Sequence, residues 1–189
     1  MNKKVKILLG LLVLIVAIGG AVLAYDWLSA PGHEPVNLMQ ELQNPEPVPA
    51  ADFAFLDQAG NNLRLSDFFG TPIILNFWAS WCPACVMESP YFETLYQETR
   101  GEIHILKVNL LDGARETRTI VDSFMDEFGY TFPLFFDTTG ESVAAYGIRG
   151  IPQTLFINPE GYIVARMQGA VSEQSLRDGL AAAHGSPGN

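Results

Sequence analysis

From Ile73 to Trp78 the chain reads IILNFW, a near-continuous apolar run of the kind that forms a strand buried on both faces. Such a strand needs cover above and below, and the segments around it supply the pieces. Phe53 to Leu56 and Leu63 to Leu65, with a turn over Gln58 to Asn62, predict a β-hairpin. A helix is predicted from Pro83 to about Thr99, with Phe92, Leu95, Tyr96 and Thr99 on one face. Ile103 to Leu110 reads as the next strand. The segment after it is strongly amphipathic: Ile120, Val121, Phe124, Met125 and Phe128 form one stripe, with Asp122, Asp126 and Glu127 outside it.

Leu134 to Phe136 predicts a short strand and Glu141 to Tyr146 a short helix. Gln153 to Ile157 and Tyr162 to Met167 are two strands joined by the turn sequence Asn158-Pro159-Glu160-Gly161. The last helix opens at Ser172, a good N-cap, with Val171 and Leu176 spaced as a hydrophobic staple. Strands alternating with helices and closing on a hairpin mean an α/β sandwich around a mixed sheet.

The N-terminal part is different in kind. Residues 1–6 carry Lys3, Lys4 and Lys6, and Ile7 to Ala24 carries no charge at all. As a helix that run would span about 27 Å, close to the ~30 Å hydrocarbon core of a bilayer. Tyr25 and Trp27 fall where interfacial aromatics belong, and the lysines are expected on the cytoplasmic side. Residues 7–28 therefore read as a single-pass anchor in a bacterial membrane, with the rest of the chain outside the cytoplasm. A cleaved signal peptide is the other reading, with Val22-Leu23-Ala24 as the cleavage site, although the run is longer than the ~7–15 apolar residues usual there. No cysteine stands directly after the run, which excludes a lipoprotein. Residues 29–50 hold Pro31, Pro35, Pro45, Pro47 and Pro49 without a core pattern and read as a semi-extended tether. The domain is then expected over residues 51–184, with 185–189 as a flexible tail.

All acidic residues follow the apolar run, while three lysines precede it, so the domain is more acidic than the net charge of −10 indicates. Nucleic acid is not an expected partner, because binding would set like charge against phosphate.

The chain has two cysteines, Cys82 and Cys85, placed where the buried strand gives way to the helix. A bridge between them closes a very short loop and constrains little unfolded-chain entropy, so a structural staple is a poor explanation. Pro83 suits the first helical position, where its missing N–H costs nothing. The Cys82 sulfur then lies at the helix N-terminus, whose free N–H groups favour the thiolate by up to ~2 kcal/mol. Cys85 lies one turn inward. Cys82 is expected to attack and Cys85 to resolve. Zinc is not expected, since His33, His104 and His184 have no paired spacing. A copper-delivery module using two thiolates and a histidine is the alternative from another functional class. No cofactor is expected.

The segments FWASWCPAC, YGIRGIPQTLFINPEG and QGAVS resemble the thioredoxin superfamily. The N-terminal apolar run, the segment from Leu111 to Pro133 and the form NFWASWC are similar to its TlpA/ResA-like branch of membrane-tethered thiol-disulfide oxidoreductases. The resemblance covers about Ala51 to Ala183. It implies the thioredoxin fold, a mixed sheet flanked by helices, with an N-terminal β-hairpin and with Leu111 to Pro133 as a βα insertion. By the same resemblance Trp81 flanks the nucleophile, Trp78 packs beneath the site, and Pro90 kinks the helix. Pro152 after Ile151 matches the family's cis-proline facing the cysteines, which leaves the Ile151 backbone free to pair with a substrate strand. Pro83 and Ala84 complete the substrate-facing set.

Asn76 departs from cytoplasmic thioredoxin, which has a buried Asp there; Lys107 matches the lysine that partners that Asp. Glu88, three residues after Cys85 and so on its side of the helix, is the nearest carboxylate able to replace it. Placed near a surface cleft, it is expected to matter little for stability. The Pro83-Ala84 order also departs from the branch and bears on the redox potential. Peroxidase chemistry is not expected, because the Thr-x-x-Cys pocket is missing. The resemblance implies a reductant of protein disulfides, with apocytochrome c or a peptide-methionine sulfoxide reductase as clients and a membrane thiol donor as electron source. A disulfide oxidase or isomerase of the same fold is the alternative within the class.

Overall fold

A computed structural model describes residues 18–20 and 48–185 of the chain. The chain divides into two compact units, residues 1–46 and 47–189. In the first, residues 18–20 are helical and exposed. The expected anchor over 7–28 otherwise lies outside the described residues, as does the tether up to residue 47. Among the described residues no helix is long and apolar enough to cross a membrane.

The second unit runs β1 (Val48–Pro49), β2 (Ala54–Asp57), β3 (Asn62–Arg64), a 3-10 turn (Leu65–Phe68), β4 (Ile73–Trp78), α1 (Pro83–Thr99) and β5 (His104–Leu110). It continues with α2 (Arg118–Phe128), β6 (Leu134–Asp137), α3 (Glu141–Tyr146), β7 (Gln153–Ile157), β8 (Tyr162–Gln168) and α4 (Glu173–His184). The eight strands form one sheet in the order β1-β8-β7-β4-β5-β6-β2-β3. β4, β5 and β6 are parallel, and the remaining pairs are antiparallel, so the sheet is mixed. This is the thioredoxin-like arrangement, with the β2–β3 hairpin added at one edge.

Two differences from expectation concern segment limits. The proline-rich stretch does not remain a tether up to residue 50: Val48 and Pro49 pair with Ile163 and Tyr162, and the Ala50 N–H donates to the Gly161 carbonyl at 2.8 Å. Pro49 is tolerated because β1 is an edge strand, where a missing N–H disrupts nothing. The insertion over 111–133 contains a loop and α2 but no strand of its own.

Period-two alternation divides the core into two layers. Ile73, Leu75 and Phe77 of β4 join Leu106 and Val108 of β5, Phe53, Phe55, Leu65 and Tyr146 in one cluster. Ile74 and Trp78 face the other way, with Ile105 of β5, Phe92 and Leu95 of α1, Val121 and Phe124 of α2, and Leu176 of α4. Gly179 of α4 sits where any Cβ would enter the ring of Phe156, so α4 lies close on β7 there. Ser172 caps α4, accepting from the Ser175 N–H, and Val171 and Leu176 are both buried at its start, as a staple requires. On α2 the expected stripe is only half interior: Val121, Phe124 and Met125 are buried, whereas Ile120 and Phe128 are exposed.

Candidate active site

β4, a central strand between β7 and β5, delivers the cysteine loop at its C-terminal end and α1 carries it back. Cys82 is the N-cap of α1, in extended conformation (φ −88°, ψ 110°), with Pro83 beginning the helix. Cys82 and Cys85 form a disulfide, with Cα atoms 5.2 Å apart. The Cys85 N–H points at the Cys82 sulfur, 3.2 Å away, which puts that sulfur on the helix terminus as the spacing predicts. Cys82 keeps 5% of its surface exposed and Cys85 none, so an incoming disulfide meets Cys82 first. Pro83 is exposed and Ala84 half-buried beside it.

Facing the pair is the Ile151–Pro152 peptide bond, which is cis as the resemblance implied. The Ile151 carbonyl lies 3.6 Å from the Cys82 sulfur, so Cys82 and the Ile151 backbone form two sides of one cleft. Trp78 lies wholly buried beneath the loop, in the same cluster as both cysteines. Pro90 is inside α1 and exposed, so the Val86 carbonyl has no N–H to receive there. Ala79 stands three residues before Cys82, where a peroxidase pocket would need Thr.

The layer under α1 also holds a row of buried polar groups. Asn76 of β4 lies opposite Lys107 of β5 and Thr154 of β7, and all three are fully buried. Its amide donates to Thr154 Oγ1 at 3.0 Å and to Glu88 Oε1 at 2.8 Å. Glu88 Oε2 accepts from the Val171 N–H at 2.9 Å. Glu88 is therefore not beside a surface cleft but fully buried, on the stripe Cys85, Glu88, Ser89, Phe92, Leu95 by which α1 meets the sheet. The predicted stripe missed its two polar members because apolarity alone defined it. Burial pushes the Glu88 carboxyl above its ordinary range, against the pull of the Lys107 charge and the two hydrogen bonds.

Lys107 makes no hydrogen bond to protein among the described residues; its ammonium rests over Phe92 at 4.1 Å, near Trp78 at 5.0 Å. Burial pulls its pKa down to about 7, with Glu88 opposing. A carboxyl pushed up and an amine pushed down thus share the buried layer beneath α1 with Cys85, and Glu88 lies one turn along the helix from it.

Sequence reasoning missed Glu116. Its fully buried carboxylate accepts from the Ser80 N–H and hydroxyl, each at 2.7 Å, and from the Asn109 amide at 2.6 Å. Ser80 is two residues before Cys82, so the loop after β5 grips the nucleophile's loop from the side. The available signal was Asn109, a polar residue in a strand otherwise buried, which needs a partner.

His104 does not join the cysteines. It sits opposite Ile73 at the far end of β5, roughly 16 Å from the Trp78 end at about 3.3 Å per residue. It packs edge-on against Phe68 (5.1 Å), and burial lowers its pKa. Among the described residues no group of three or more His, Cys, Asp or Glu could hold a metal ion.

Residues 48–166 match the AhpC/TSA family. The chain is 33% identical over 169 residues to the thiol-disulfide oxidoreductase ResA of Bacillus subtilis (strain 168), covering 89% of this chain and 86% of that one. Among solved structures it is similar to StoA from Bacillus subtilis, with a TM-score of 0.60 and 28% identity over 70% of this chain and 98% of that chain. It is similar to the exposed lipoprotein thioredoxin Etrx1 from Streptococcus pneumoniae strain TIGR4 to the same degree, with a TM-score of 0.60 and 28% identity over 69% and 98% of the two chains.

Proposed function

Since the chain belongs to the AhpC/TSA family of thioredoxin-like proteins and is a thiol-disulfide oxidoreductase of the ResA kind, we propose that it works as a reductant of protein disulfides outside the cytoplasm. The observation that carries this reading is the pairing of Cys82, the more exposed of the two sulfurs and set at a helix terminus, with a buried carboxyl on the Cys85 side of α1. The Cys82 thiolate attacks one sulfur of a client disulfide. The other client sulfur leaves as a thiolate and takes a proton from water, and a mixed disulfide remains. Cys85 then gives its proton to Glu88 and attacks the Cys82 sulfur. The second client sulfur leaves as a thiolate and takes a proton from water, so the client departs with both thiols reduced and Cys82 and Cys85, having given up two electrons, remain as the disulfide. The Ile151 backbone aligns the client strand across the cleft.

A dithiol donor must restore the pair. With residues 7–28 reading as a membrane anchor, a membrane thiol protein is the natural donor, and apocytochrome c or a methionine sulfoxide reductase the natural clients.

Two measurements test the reading. In cells, Cys85→Ala should accumulate a mixed disulfide through Cys82 with an extracytoplasmic protein. The Cys82–Cys85 couple equilibrated with glutathione should prove reducing, below about −200 mV. A potential near that of a strong oxidant, about −120 mV, would instead favour the oxidase reading.

A further inference from the structure

Trp81 and Cys82 are adjacent, and what covers Trp81 has no part in the mechanism above. The indole is 44% exposed, and the Arg115 guanidinium carbon lies over its ring at 3.5 Å. Arg115 is held there from both sides. Asp112 Oδ1 accepts from the N–H groups of Ala114, Arg115 and Glu116 at 2.7–2.8 Å, and the next residue, Glu116, is anchored to Ser80. The dipeptide Arg115-Glu116 thus grips the dipeptide Ser80-Trp81, with one side chain inward and one outward. The neighbouring carboxylates are engaged: Asp112 by three backbone N–H groups, Glu116 by Ser80 and Asn109. Among the described residues the ion pairs within 4.0 Å belong to Arg64 and Arg177, and Arg115 makes none. A guanidinium stacked by its face on an indole keeps its edge N–H donors free for a carboxylate.

We propose that Arg115, stacked on Trp81, is a specificity-determining residue that selects clients carrying Asp or Glu next to the disulfide to be reduced. The inference rests on the disulfide-reductase reading. It also runs against the bulk electrostatics: the domain is acidic overall and would repel an acidic client at long range, so a preference for one reports the local cation. The other exposed cation with a claim on the cleft is Arg149, two residues before Ile151.

The test compares two peptides with an internal disulfide, identical except that Glu or Gln flanks each cysteine, alongside hydroxyethyl disulfide, which carries no charge. The wild type should reduce the Glu peptide with about fivefold higher kcat/KM, expressed in KM. In Arg115→Gln the ratio should fall to about one while the hydroxyethyl disulfide rate is unchanged. Arg115→Lys should fall between, and Arg149→Gln should keep the preference. A ratio near one in the wild type overturns the inference, as does a ratio that survives Arg115→Gln or is lost only in Arg149→Gln. Failure to reduce hydroxyethyl disulfide at all would count against the reductase reading instead.

Discussion

The two layers of the core are built by the same strands and do opposite work. Beneath the hairpin, Phe53, Phe55, Phe77, Phe135 and Tyr146 interlock with centroid spacings of 5.2–5.9 Å. Beneath α1, alternate residues of the same strands are Asn76, Lys107 and Asn109, and α1 adds Glu88. Burying such groups costs free energy that an apolar layer does not incur. The comparison shows where the two layers differ: the face under the hairpin is built of apolar and aromatic residues, whereas the face under α1 sets its titratable groups inside an apolar cluster of its own.

If that division is real, substitutions on the two faces should separate stability from turnover. Phe77→Ala should cost the most, about 3–5 kcal/mol in urea unfolding. Turnover of the protein that remains folded should stay within about twofold; a far larger loss would erase the distinction between the faces. Glu116→Ala should come next. It strands three donors, lowering stability by about 2–3 kcal/mol and slowing turnover as the Ser80 loop loosens; Glu116→Gln should restore most of both.

Glu88→Gln should slow turnover about tenfold at neutral pH, as loss of a proton acceptor does. It should also cost about 1 kcal/mol, because an amide serves the Val171 N–H less well. The pH–rate limb belonging to the raised carboxyl should vanish, and a wild-type profile would remove Glu88 from the mechanism.

The smallest effect is expected from Lys107→Met. Burial depresses the Lys107 pKa from 10.5 to about 7, so its contribution to stability is present above the unfolded value and lost as pH falls through this window. The variant should therefore lose that slope between about pH 10 and 7 and gain about 1 kcal/mol at neutral pH, while the Glu88 carboxyl titrates higher still. Equal pH–stability curves for the two proteins would place the ammonium in water.

Much of this was legible beforehand. β4, α1, α3 and β7 fall on the predicted limits, because an apolar run, a proline at a helix start and a Pro-Gly turn are local signals. Cys82, Cys85 and Pro152 were likewise carried by motif. Glu116 was not, since a lone Glu in a polar loop looks the same whether it faces water or a serine 36 positions away. Glu88 was recognised but placed wrongly, because a charged helix residue is ordinarily solvated; only Asn76, polar inside a buried run, hinted that something must reach in to meet it. β1 was invisible because a proline-rich segment has the same composition as a tether and as an edge strand.

That edge strand has a consequence for colloidal behaviour. The sheet ends in two very short strands, Val48–Pro49 on one side and Asn62–Arg64 on the other. Pro49 offers a neighbouring molecule no N–H, and the far edge ends at Arg64, an exposed charged residue whose guanidinium pairs with Asp52 at 2.7 Å. Cutting the chain at Ala51, where composition alone would place the boundary, removes the first of these guards and bares β8 along Tyr162 and Ile163. Such a fragment extends the open edge of β8 from Val164–Gln168 to the whole strand, and it should self-associate more readily as it is concentrated. A fragment beginning at Pro47 keeps the Tyr162–Ile163 end of that edge covered.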